Sequence, residues 1–148
     1  ELHPEGFDDL VKICTLSHGT GIWEGNMQVL AEEKGFNIKD ILGSRDDIFH
    51  HILALGVDRV TAIEISEAVR KGTVSRAGNA KWTSWKKILM QNGAEEWFIW
   101  SCERILYLFP KAHAVSYMIV NMKLGWFKVH YPEQFDRMVK QYPEERFL

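Results

Sequence analysis

Apolar side chains recur about every three to four residues along this chain, in short blocks broken by Gly, Pro, Ser or Asn, and no segment alternates convincingly as a strand would. The pattern predicts helix after helix. A short amphipathic helix covers about Phe7 to Cys14, and the polar turn Leu16-Ser17-His18-Gly19-Thr20-Gly21 interrupts it. A second helix starts near Ile22 or Trp23 and runs to about Glu33, where Gly35 offers a stop. Ser44 suits the N-cap of a third, with Asp46 and Asp47 in its first turn and Asp47 completing a capping box in place of the usual Glu. Ile48, Ile52, Leu53 and Leu55 form its apolar stripe, and Gly56 ends it. Asp58 caps a fourth helix, which passes through Val60, Ile63, Ile65 and Val69 to Gly72.

Residues 72 to 80 are rich in Gly, Ser, Thr and Asn and read as a loop, the one internal linker of the chain. Two more helices, roughly Trp82 to Gln91 and Glu95 to Leu108, are joined by Asn92-Gly93. Pro110 fits the first position of a long helix, because its missing N–H would have no partner there in any residue. From there Ala112, Val115, Met118, Ile119, Met122, Trp126 and Val129 predict one continuous buried stripe to His130-Tyr131, closed by Pro132. A short amphipathic tail helix follows before Pro143. The expectation is one all-α, multi-helix domain over residues 1 to 148, without a substantial sheet.

Its 148 residues suffice to bury a core. No apolar run approaches the roughly 20 residues of a membrane span, and the start lacks the basic and apolar regions of a secretory leader, so the expected location is cytoplasmic. Cys14 and Cys102 sit in apolar periodic segments and read as buried, reduced thiols. The net charge of -2 conceals a segregation: residues 1 to 67 hold thirteen acids and five bases, residues 68 to 132 ten bases and three acids. Arg70, Lys71, Arg76, Lys81, Lys86 and Lys87 fall in a stretch with no acid between Glu67 and Glu95. This stripe either attracts a polyanion or is a solvated basic surface.

The chain carries no Walker or Rossmann glycine loop, no His-Glu-x-x-His and no nucleophile elbow. His50 and His51 are adjacent on a helix, so they diverge by about 100 degrees and read as surface histidines; joined with His18 they would suit a metal-dependent hydrolase only if they converged. Asp46 and Asp47 likewise read as capping residues near a helix dipole. Phosphate binding has better support: the helix start after Pro110 offers free N–H groups, Lys111 adds a charge, and His113 shares a face with Tyr117. The competing reading makes His113 and Tyr117 internally satisfied core residues. The Ser17-His18-Gly19-Thr20-Gly21 turn, next to a helix start, is a second candidate nest of backbone donors. Trp82 and Trp85 interleave with Lys81, Lys86 and Lys87, a pattern that serves either base stacking or core packing. Arg45 and the pair Arg70-Lys71 are further charges available to a triphosphate.

In order along the chain stand Phe7-Asp8-Asp9-Leu10-Val11-Lys12-Ile13, Leu16-Ser17-His18-Gly19-Thr20, Trp23, Gly25-Asn26, Ser44-Arg45-Asp46-Asp47-Ile48, Val69-Arg70-Lys71-Gly72, Glu96-Trp97, Ser101-Cys102, Phe109-Pro110-Lys111-Ala112-His113-Ala114, Tyr117 and Phe127-Lys128-Val129-His130. This succession resembles the fingers region of the C-family bacterial replicative polymerases, most closely the PolC type of DNA polymerase III alpha subunit. The likeness spans about residues 7 to 132, and 133 to 148 form a divergent tail.

The resemblance implies a helical fingers subdomain lying over the incoming dNTP and the templating base. It implies triphosphate contacts from Arg45, Lys71, Lys111 and His113, with Ser17, His18 and Gly19 in a nucleotide-facing turn. Arg70, Arg76, Lys81, Trp82, Lys86 and Lys87 are then the DNA-facing set. Primer-template DNA and the palm and thumb of the polymerase are the implied partners. Magnesium is expected on palm aspartates absent from this chain, which is assigned no metal, no cofactor and no catalytic residue, and is expected to be inactive alone. Either the chain is a fingers fragment of a larger enzyme, or it is a free-standing interaction or nucleic-acid-binding module derived from one. Two departures stand out: Gly21 replaces the family's Asp after Ser-His-Gly-Thr, and Thr73 stands where a second lysine is usual.

Overall fold

A computed structural model describes residues 2–76 and 79–141. Among them are eight α-helices: α1 Phe7–His18, α2 Gln28–Lys34, α3 Arg45–Ala54, α4 Arg59–Arg70, α5 Trp82–Gln91, α6 Glu96–Cys102, α7 Lys111–His130 and α8 Pro132–Gln141. A kinked turn, Trp23–Met27, with Glu24 and Gly25 outside helical backbone, precedes α2. The described residues contain no sheet, only one antiparallel bridge between Thr20 and Tyr107. The all-α expectation therefore holds. The part of the tail beyond Gln141 lies outside the described residues.

Local chemistry starts these helices where the sequence placed them. Ser44 accepts from the Asp47 amide while Asp47 Oδ2 accepts from the Ser44 amide at 2.8 Å, a complete capping box on α3. Asp58 accepts from the amides of Val60 and Thr61, each at 3.0 Å, to start α4. Such caps satisfy N–H groups that the helix itself leaves without partners, for about 1 kcal/mol each.

The main core draws on residues from Leu16, near the end of α1, to Leu108, beyond α6. Ile41, Ile48, Ile52, Ile65, Leu89 and Phe98 are among its fully buried side chains. Each contributes about 1.5–3 kcal/mol of burial. The kinked turn enters this core through Asn26, whose Nδ2 donates to the Gly21 carbonyl at 2.7 Å and the Ser101 carbonyl at 3.3 Å, tying the turn after α1 to α6. Cys14 and Cys102 are both free and buried, as the sequence indicates. Burial pushes both thiols above their ordinary range.

The structure corrects several local expectations. α1 runs on to His18, so Leu16, Ser17 and His18 are helical rather than part of a turn, and the second helix is broken at Glu24 and Gly25, with α2 itself starting at Gln28. The sixth helix stops at Cys102 rather than Leu108, and Ile105 to Leu108 continue as extended chain. That chain is held on both sides: Thr20 exchanges backbone hydrogen bonds with Tyr107, and the Leu108 amide donates to the Arg70 carbonyl at 3.1 Å. His51 is no surface histidine, since its ring stacks on Phe98 with centroids 4.2 Å apart and its Nε2 is buried without a partner. The expected buried stripe of α7 is largely exposed. Its N-terminal part packs on α1, with Ala114, Val11 and Cys14 buried and Phe7, Phe109, Val115 and Met118 around them. Beyond that contact Ile119, Met122, Trp126 and Val129 are 43 to 76% exposed.

Candidate nucleotide site

The extended segment before α7 gathers the ends of three elements. One side of it pairs with the turn after α1, and the other receives the C-terminus of α4. Its own continuation through Pro110 opens α7 at Lys111. The backbone at Thr20, Arg70 and Leu108 is thereby brought together, with only Phe109 and Pro110 between Leu108 and the start of α7. Two glycines permit the close approach. Gly72, at φ +66°, and Gly21, at φ +70°, both adopt the left-handed backbone. A Cβ at Gly72 would overlap the Leu106 carbonyl, and one at Gly21 would overlap the Arg104 carbonyl. The missing Asp at position 21 thus has a physical reason in this chain, because the turn has no room for any side chain.

At the turn itself, the sequence-based expectation of a backbone nest is not met. The Gly19 amide donates to the Thr15 carbonyl at 3.0 Å and the Thr20 amide to the Tyr107 carbonyl at 2.9 Å, so both are engaged within the protein. Side chains remain. His18 Nδ1 lies 2.9 Å from the Cys14 carbonyl, which can only accept, so Nδ1 carries the proton and Nε2 is the free ring position. Ser17 Oγ donates to the same carbonyl at 3.0 Å. The His18 ring lies 5.0 Å from Phe109 and stacks at 6.4 Å on Tyr117, and Phe109 meets His113 edge-on at 6.2 Å. His113 and Tyr117 are exposed, which removes their reading as core polar residues.

Arg45, Arg70 and Lys71 converge on a residue the sequence reading passed over. Glu67, in the last turn of α4, takes Arg45 Nη1 on Oε1 at 3.0 Å and Arg70 Nη2 on Oε2 at 3.0 Å, with Lys71 Nζ 3.8 Å from Oε2. Arg45 also reaches Asp46 at 3.0 Å. Hydrogen bonds from Arg70, and then from Arg45, hold the Glu67 carboxyl below its ordinary range against the opposing effect of burial. Bonding to Asp46 and Glu67 raises the Arg45 guanidinium above its own range. The signal that could have found Glu67 was its spacing, three residues before Arg70 and four before Lys71.

Lys111 faces elsewhere, lining a cleft of about 560 Å³ with Lys12, Lys39, Ser44, Asp47 and the acids of the α1 start. This cleft joins the α7 start to the α3 cap, next to Arg45. Lysines and carboxylates interleave there, so the cleft is not purely cationic.

The DNA-facing candidates are more dispersed. Lys81 pairs with Glu64 at 3.0 Å and lies over the Trp85 ring at 5.7 Å, while Trp85 itself is buried. Lys86 Nζ and the Trp82 indole N–H both meet Glu103 Oε1 at 2.9 Å. Burial pushes the Glu103 carboxyl up, but these donors outweigh it and leave it below the ordinary range. Trp82 is half-buried on that carboxylate rather than presented as an open stacking face. Arg76 and Lys87 are exposed. Among the described residues no three His, Cys, Asp or Glu side chains gather as a metal site, and no helix is long and apolar enough to cross a membrane.

No protein-family model matches the chain. Individual relatives do. It is 40% identical over 137 residues to the DNA polymerase III PolC-type of Caldanaerobacter subterraneus subsp. tengcongensis, covering 91% of this chain and 9% of that protein. The protein of the same name from Streptococcus thermophilus is 38% identical over 132 residues, and that from Mycoplasma pneumoniae 40% over 129. Over about nine tenths of its length, this chain is homologous to one segment of the PolC-type DNA polymerase III, a segment spanning 8 to 9% of those relatives.

Proposed function

We propose that the chain forms the fingers of a PolC-type polymerase, meeting the triphosphate of the incoming dNTP and the template DNA. One observation carries this reading: Arg45, Arg70 and Lys71 come from two helices to a single point beside the segment that opens α7 with Lys111 and His113. Phosphate transfer needs charge placed in advance around the phosphates, and cationic side chains on helix ends supply it. His18, with Ser17 and Tyr117, borders the nucleotide in this reading. Arg76, Lys81, Lys86 and Lys87 meet the DNA backbone, Lys81 and Lys86 by exchanging their carboxylate partners for phosphate. Magnesium would supply Lewis-acid chemistry on palm carboxylates.

Titration of the chain with a labelled dNTP and a labelled primer-template at two ionic strengths tests the proposal. Both affinities should fall as salt rises, and salt-independent binding would count against the basic surfaces. Lys71→Ala should weaken dNTP binding roughly fivefold while leaving the helical circular dichroism unchanged, since the charge is 61% exposed and forms only a long ion pair. An unfolded Lys71→Ala chain, or one binding as wild type does, would argue against the site.

The exposed apolar length of α7 favours a second role for the same domain. We assign that face to the remainder of the polymerase, palm and thumb, as the surface on which the fingers seat.

A further inference from the structure

We propose that Glu67 is a resident anion of the triphosphate site: it holds Arg45, Arg70 and Lys71 together in the free protein and competes with phosphate for them. The inference rests on the triphosphate reading above and adds the residue that sets its affinity. Both oxygens of this one carboxylate are engaged, Oε1 by Arg45 and Oε2 by Arg70 and Lys71. Three cations on one acid leave an excess of positive charge even after Asp46 is counted against Arg45. Without an anion between them, the three heads would repel and separate.

Helix stability alone does not account for the arrangement. Arg45 opens α3, where the helix dipole disfavours a cation, and Glu67 lies in the last turn of α4, where it disfavours an anion. Each charge therefore sits at the wrong end of its helix and is offset by ion pairs: Glu67 by Arg45, Arg70 and Lys71, and Arg45 by Asp46 and Glu67. The heads also remain reachable, since the side chains of Arg45 and Lys71 are 46% and 61% exposed. A triphosphate offers more acceptor oxygens and more charge than a carboxylate, so it can take over donors that Glu67 has already assembled.

The test compares wild type with Glu67→Gln, which keeps the side-chain volume and removes the charge. Inorganic triphosphate is titrated calorimetrically into each at low salt, with circular dichroism confirming the fold. In Glu67→Gln the triphosphate itself becomes the bridging anion and no longer displaces a carboxylate, so binding should tighten about threefold or more, with the two proteins converging at high salt. Equal or weaker binding by a folded Glu67→Gln chain would overturn the inference and leave the triphosphate reading standing. Failure of wild type to bind inorganic triphosphate and dNTP alike would remove that reading, and the inference with it. Should Glu67→Gln not fold, the Nε–H resonances of Arg45 and Arg70 in wild type decide: they should shift on addition of inorganic triphosphate, and their constancy while triphosphate binds would overturn the inference.

Discussion

His51 shows what a single side chain can impose. Its ring is pressed between Phe98, stacked at 4.2 Å, and the edge of Trp97, and burial lowers its pKa from 6.5 while the charge of Glu95 partly opposes that fall. The sign of the pH effect follows. The unfolded chain takes up a proton near the ordinary histidine value, whereas the folded chain resists it to lower pH, so stability is full above that value and declines as pH drops below it. Urea midpoints should therefore fall between pH 7.5 and 5, and His51→Phe, which keeps a ring against Phe98, should flatten that part of the decline. An unchanged slope in His51→Phe would refute the assignment. Ser44, Asp47 and Asp58 were legible in the sequence because caps act within three residues of themselves. His51 was not, because its environment is made by α6, which lies far along the chain.

Among the elements, the capped starts of α3 and α4 were readable, whereas the ends of α1 and α6 were not. Ile105 and Leu108 continue the apolar spacing of α6, so periodicity alone prolongs that helix. Backbone pairing with Thr20 and Arg70 outweighs this local preference. That pairing places the candidate site, because it sets the C-terminus of α4 against the start of α7. Gly72 is the point of closest approach, and Gly72→Ala combines a left-handed backbone with an overlap on the Leu106 carbonyl. The variant should lose more than about 1 kcal/mol of stability, and dNTP binding should weaken with it because Arg70 and Lys71 directly precede the displaced residue. Thermal unfolding alongside dNTP titration checks both effects; a variant as stable as wild type would show that the approach can relax. The cationic residues of the site could be named from sequence, but their meeting on Glu67 could not, since the packing of α3 on α4 brings Arg45 there.

For the whole molecule, the apolar pattern of α7 was legible and its environment was not. Periodicity records that a helix has an apolar face; it does not record which surface covers that face. In this chain α1 covers only the first part, through Ala114, and Met122, Trp126 and Val129 stand open. Apolar side chains with no cover contribute little to the stability of the domain that carries them, in contrast to buried ones, which cost about 2–5 kcal/mol on truncation. Replacing Met122 and Trp126 together with Lys should therefore leave the unfolding temperature within about 2 °C of wild type, whereas Phe98→Ala, in the shared core, should lower it by 10 °C or more. Wild type should self-associate in sedimentation as its concentration rises, through this exposed apolar face, and the same double change should remove that association without touching the other end of α7. A double variant that unfolds early would mean that α7 is part of the domain's own core. Retained stability with lost association would separate the two faces of one helix: a buried start that positions Lys111 and His113, and an open length that seats against another surface.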